Sequence, residues 1–139
     1  MSKELISTLH SQHEALMALF QKASLLSDAP EPPYQEIAET LKAIGEMFVG
    51  HIYMENNELY PGIFKHPGME KTSTECAKNL MEDMKSIQDD VIHFLNKYHT
   101  DEKLREEYAV FKVELKDAEK RLRSRILLEE NTLFVLDRE

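Results

Sequence analysis

Several side chains stand where a helical protein would place leucine. His13, His51, Glu55, Arg125 and the adjoining Glu129 and Glu130 fall on or beside apolar 3-4 spacings otherwise filled by Leu, Ile and Phe. Imidazole nitrogen and carboxylate oxygen are ligands for divalent transition ions. A buried charge without a partner costs several kcal/mol, on the order of the whole stability of a small domain. These groups must therefore meet one another or meet an ion. His51-x-x-x-Glu55 puts an imidazole and a carboxylate one turn apart on one helix face. That pair alone is a weak motif, and its weight comes from what lies level with it.

The elements that must position these residues are helices. Three prolines in 28–33 exclude helix interior there, because each removes a donor and clashes with the preceding turn. Tyr60-Pro61-Gly62 followed by His66-Pro67-Gly68 marks a second break, and His99-Thr100-Asp101 a third, with Thr100 or Asp101 able to N-cap a last helix. Four segments result, 2–27, 34–60, 73–98 and 101–136. Each has the seam of a packed helix: Leu9, Leu16 and Phe20; Leu41, Ile44 and Phe48; Leu80, Met84, Ile87 and Val91; Phe111, Leu115 and Leu122. None alternates like a strand. Short connections between long amphipathic helices predict an all-α, antiparallel up-down-up-down four-helix bundle occupying 1–139 as a single domain. In that arrangement His13, His51, Glu55, Arg125 and Glu130 fall within about 10 Å of a common level at a rise of about 1.5 Å per residue.

Composition excludes other functions. At 139 residues, with 42% apolar and 31% charged side chains, the chain suits one globular domain. A net charge of -9 repels phosphates, and the basic run 116–125 is interleaved with Asp117 and Glu119, so neither nucleic acid nor an anionic membrane is an expected partner. No apolar stretch of about 18 residues exists to span a bilayer. The first nine residues do not read as a signal peptide. The lone Cys76 precludes an intrachain disulfide framework and suggests a reducing, cytoplasmic setting, with the thiol partly buried. No nucleophile triad, no glycine-rich phosphate loop and no pair of Glu-x-x-His motifs is present, so no enzyme is expected.

The chain resembles the hemerythrin-like (HHE cation-binding) domain family over essentially its full length. The resemblance rests on His13-Glu14-x-Leu16, on His51-x-x-x-Glu55-x-x-Glu58-Leu59-Tyr60-Pro61 and on Glu129-Glu130-x-x-Leu133-Phe134. It implies a four-helix bundle holding non-haem iron, with a metal ion and a small diatomic ligand such as oxygen or nitric oxide as partners. Carried over residue by residue, it assigns His13, His51, Glu55 and Glu130 as metal ligands. The family's histidines for a second iron would fall at Met84, Gln88 and Arg125, and Val135 replaces the proline usual after the last motif. A guanidinium has no free lone pair, and thioether sulfur is a poor ligand for hard iron. An oxygen-bridged di-iron centre is therefore not expected.

Two readings follow. In the first, one metal ion sits on His13, His51, Glu55 and Glu130, with Arg125 supplying charge where the second iron is lost. In the second, no metal binds and Arg125 itself neutralises Glu55 and Glu130 in a metal-free regulatory or interaction module. Met84 reads as core filling and Gln88 as a hydrogen-bonding neighbour. Glu58 supports the ligands or is solvated. His10 and the Asp90-x-x-His93 pair read as surface, and His66 and His99 as turn residues.

Overall fold

Helices form where the apolar spacing places them. The computed structural model describes residues 3–65 and 71–132, the side chains of 72 and 73 excepted, and every regular element among them is helical. Helix α1 spans Lys3–Ser27 and α2 spans Tyr34–Met54. A π-helical turn, Glu55–Leu59, leads into the short α3, Tyr60–Phe64. Helix α4 spans Lys71–Lys97, α5 spans Asp101–Glu106 and α6 spans Tyr108–Asn131. None of the described helices is long and apolar enough to cross a membrane.

The boundaries follow local chemistry. The three prolines occupy the connection before α2, and the Pro33 carbonyl accepts from Ile37 N–H at 2.9 Å to start that helix. Thr100 is extended and its side chain accepts from Lys103 N–H, which caps α5. At the end of α1, the Ser27 hydroxyl bonds back to the Ala23 carbonyl, and Tyr108 donates to the Ser27 carbonyl, tying the first helix to the last.

Two expected boundaries are corrected. The chain does not break at Tyr60-Pro61 but stays helical to Phe64. The π turn lets it do so, because Pro61 then enters at the first turn of α3, where its missing N–H is not needed. The fourth segment is not one helix. Glu107, at φ -124 and ψ 36, interrupts it between α5 and α6, and its carbonyl then accepts from Phe111 N–H at 2.8 Å. The expected turn at His66-Pro67-Gly68 and the motif residues Leu133, Phe134 and Val135 lie outside the described residues.

Helix α1 packs on α2 and α6, while α4 packs on α6, α2 and α3. The buried apolar residues form two clusters. The larger holds Leu16, Phe20, Ile44, Phe48, Met84, Phe94, Phe111 and Leu122, and the smaller holds Leu5, Ile6, Leu9, Leu59, Tyr60, Ile63 and Leu80. Each fully buried Phe or Leu contributes about 1.5–3 kcal/mol of transfer free energy. A layer of buried polar side chains separates the clusters. Along α1 it is His13, between Leu9 and Leu16, and along the second helical run it is His51 and Glu55, between Phe48 and Leu59.

Candidate metal centre

The layer is made by helix periodicity alone. His51 and Glu55 share a face of α2 as it enters the π turn, His13 faces them from α1, and Glu129 reaches in from α6. All four are 1–2% exposed. One ligand atom from each lies within 4.8 Å of all the others. Ligands of one ion at about 2.0–2.3 Å lie no more than about 4.6 Å apart, so small side-chain shifts bring the set to the dimensions of a single metal site.

The imidazoles are oriented from behind. His13 Nδ1 lies 3.0 Å from Glu130 Oε2, and His51 Nδ1 lies 2.7 Å from Gln12 Oε1. Both partners are acceptors, so each Nδ1 carries the proton and each Nε2 presents a lone pair. The two Nε2 atoms face one another at 3.0 Å, with ring centroids 4.5 Å apart. Two lone pairs so placed require a proton or a cation between them. His51 Nε2 is also 3.4 Å from Glu55 Oε2, and His13 Nε2 is 4.0 Å from Glu129 Oε1.

Electrostatics favours neutral imidazoles and disfavours two bare carboxylates. Burial, joined by the neighbouring His51, holds His13 below the ordinary imidazole value against the pull of Glu129 and Glu130. Burial does the same to His51. Burial lifts the Glu55 carboxyl, with the Glu129 contact and the Arg125 charge drawing it back. Burial, then the Glu55 carboxylate, push Glu129 well above the usual carboxylate range. The two carboxyls lie against each other, and beyond that contact and the imidazoles no well-formed hydrogen bond satisfies any of their four oxygens among the described residues. Buried oxygens of this kind are rare and call for an explanation. Two neutral imidazole nitrogens and two unpartnered carboxylates fit one divalent ion of the iron, manganese or zinc type.

The sequence-derived site residues are not all brought together. His13, His51 and Glu55 converge, but Glu129 takes the place assigned to Glu130. The reason is geometric: on a regular α-helix Arg125 and Glu129, four apart, share a face, whereas Glu130 is turned about 100° further. Glu130 instead stands behind His13, with a side chain 24% exposed, and also hydrogen-bonds His10. Arg125 is buried in the layer. Met84 packs in the larger apolar cluster, and Gln88 is half-buried beside it. Glu58 is exposed, because the wide π turn brings Leu59 and Tyr60 onto the inner face instead.

His10 and His93 are exposed, Asp90 pairs with Arg121, and His99 lies in the turn after α4. Cys76 is exposed, where partial burial was expected. Sequence reasoning missed Gln12 and Tyr60 as members of this neighbourhood. Gln12 adjoins a candidate ligand, which was the available signal, while Tyr60 entered only as part of a break and of the family motif, with no role at the site.

No curated protein and no solved structure matches the chain. A family model does, that of the hemerythrin HHE cation-binding domain, over residues 4–136. With nearly the whole length matched and a buried His/Glu cluster in place, the chain belongs to the hemerythrin HHE cation-binding domain family.

Proposed function

We propose that this chain is a cytoplasmic, non-catalytic metal-binding protein that holds one divalent ion, non-haem iron by family, on His13, His51, Glu55 and Glu129. The observation that carries the reading is the pair of Nε2 atoms facing each other at 3.0 Å with both Nδ1 atoms engaged by Glu130 and Gln12, beside two buried carboxylates without partners. When bound, the ion supplies two positive charges to those carboxylates and a Lewis-acidic position for a small ligand, which suits binding or sensing of oxygen, nitric oxide or the metal itself. The protein's part is to exclude water, fix the imidazole tautomers and hold two carboxyl groups that the ion's charge would keep deprotonated.

The scaffold we infer is an antiparallel up-down-up-down bundle in a single domain. Support comes from the short connections at 28–33 and 98–100 and from hydrogen bonds that join Ser27 to Tyr108 and His13 to Glu130, pairings that run in opposite chain directions. The metal-free alternative needs Arg125 on the carboxylates. The Arg125 charge acts on Glu55, yet its Nε and Nη2 have no hydrogen-bond partner, so the paired edge that would grip the carboxylates is not engaged.

Elemental analysis of protein loaded anaerobically with Fe(II) tests this. About one equivalent is expected, lost in His51→Ala, with chelator lowering the melting temperature. Trace metal whose removal leaves melting unchanged defeats the reading. About two equivalents with near-ultraviolet oxo-bridge absorption defeats the single-ion form of it.

A further inference from the structure

The polar layer contains donors as well as ligands. Arg125 is 4% exposed and Tyr60 1% exposed, and Arg125 Nε, Arg125 Nη2 and the Tyr60 hydroxyl all lack a hydrogen-bond partner. They come from different helices, Arg125 from α6 one turn before Glu129 and Tyr60 from the start of α3 immediately after the π turn. Both border the ligands and each other: the Arg125 charge is felt at Glu55, the Glu55 and Glu129 charges are felt at Tyr60, and the Arg125 guanidinium approaches the Tyr60 oxygen, which leaves the Tyr60 O–H free to donate. Nε and Nη2 lie on one edge of the guanidinium, the fork that receives two oxygens borne on a single atom.

Charge points the same way. Two carboxylates balance a divalent ion, and the neutral imidazoles add nothing. Arg125, always protonated, adds a positive charge within the layer, and the partly exposed Glu130 offsets it only from behind the His13 ring. One small anion places negative charge beside Arg125 and engages these donors together.

We propose that the centre binds its metal together with one small bidentate oxyanion of carboxylate shape, held by the Arg125 Nε/Nη2 edge and the Tyr60 hydroxyl. The inference rests on the metal reading above and adds the class of ligand to it. Arg125 and Tyr60 are binding residues in this account, not remnants of a lost second metal position. A halide lacks the second oxygen and fits the fork poorly.

The test uses the full chain loaded with Co(II), whose visible bands report its ligand environment, titrated with sodium formate at constant ionic strength set with sodium chloride. The expected result is a saturable spectral change with one formate per cobalt. Tyr60→Phe and Arg125→Lys should each still take up cobalt but weaken formate binding about tenfold or more, the loss typical of a hydrogen bond to a charged group. The lysine variant keeps the charge and loses the fork, so undiminished formate binding in it overturns the fork. Cobalt uptake with no formate response, or with one equally strong in wild type and both variants, overturns the anion site and leaves the metal reading standing. Failure to bind cobalt overturns both. If Arg125→Lys does not fold, Tyr60→Phe decides alone, because it removes one oxygen from a side chain whose ring stays packed.

Discussion

The aromatic cluster around Phe111 and the polar layer around His51 are both buried, yet they are finished to different degrees. In the first, Phe94 stacks on Phe111 with centroids 5.9 Å apart, Tyr98 meets Phe111 edge-on at 5.0 Å, and Tyr108 both stacks on Phe111 and donates to Ser27. In the second, Glu55, Tyr60, Arg125 and Glu129 hold nearly all the buried unpartnered nitrogens and oxygens found among the described residues, with one each left to Tyr98 and Glu107. Packing completes the aromatic region with the chain's own atoms. The polar layer lacks a cation at its carboxylates and acceptors at its Arg125 and Tyr60 donors, the places where an ion and its ligand would supply them. A fold leaves such a layer at a stability cost, and that cost marks where a binding function resides.

If the comparison is right, the two regions respond oppositely to the same manipulations. Phe111→Ala should lower unfolding stability by about 3–5 kcal/mol, and by the same amount with chelator as with metal, read from denaturant melts in both conditions. A strongly metal-dependent loss would mean that the two regions are one cooperative site. Glu129→Gln should do the reverse in chelator. It removes a carboxylate that is hard to ionise when buried, so the apo-protein should gain about 1–3 kcal/mol while stabilisation by metal disappears. Apo-protein destabilised by this change would show that Glu129 is already satisfied.

The pH dependence divides the same way. Glu55 and Glu129 have folded pKa values raised above the ordinary 4.5, so the stability they contribute is full below pH 4.5 and is lost as pH rises through the raised values. His13 and His51 have folded values lowered from 6.5, so theirs is full above pH 6.5 and is lost as pH falls through the lowered values. Between 4.5 and 6.5 the two pairs oppose each other, and the melting temperature in chelator should change little. With metal present it should climb across that range, because the ion competes with protons at all four ligands. Parallel curves with and without metal would contradict ligation by these groups.

How much of this was legible beforehand follows from what periodicity encodes. His13, His51, Glu55 and Arg125 occupy positions that a 3-4 seam assigns to the core, and their polarity made them conspicuous. The choice of Glu130 over Glu129 came from the family's five-residue spacing after Arg125, whereas hydrogen-bonded geometry in α6 rewards four. The π turn at Glu55–Leu59 is marked only by the weak helix formers Asn56 and Asn57, which do not tell a π turn from a helix end; its effect is to exchange Glu58 for Leu59 and Tyr60 on the inner face. Pro61 reads as a break in the sequence, but it sits in the first turn of α3, where the chain stays helical. Glu107 interrupts the last helix without a proline or glycine to announce it. Gln12 is one residue off the seam, where a long side chain can reach a neighbour that spacing alone does not identify.

Gln12 offers the subtlest separation of the two regions, because it is half-buried and touches no candidate ligand atom that would face the ion. Its oxygen accepts from His51 Nδ1, which fixes the tautomer that leaves Nε2 available, and its nitrogen rests 3.1 Å from Met54 Sδ. Gln12→Leu keeps most of the volume and removes the acceptor. The imidazole can then rotate or carry its proton on Nε2, so metal affinity should fall about tenfold, the low end for loss of a group orienting a ligand. Stability in chelator should move by no more than about 1 kcal/mol, since one partly exposed hydrogen bond is exchanged for apolar contact. Glu58→Gln, on the outer side of the same helical run, supplies the control and should leave affinity and stability within about 0.5 kcal/mol of wild type. If metal titrations by calorimetry gave Gln12→Leu the same affinity as Glu58→Gln, the orientation of His51 would have to come from packing alone, and the polar layer would differ from the aromatic cluster only in its ligands.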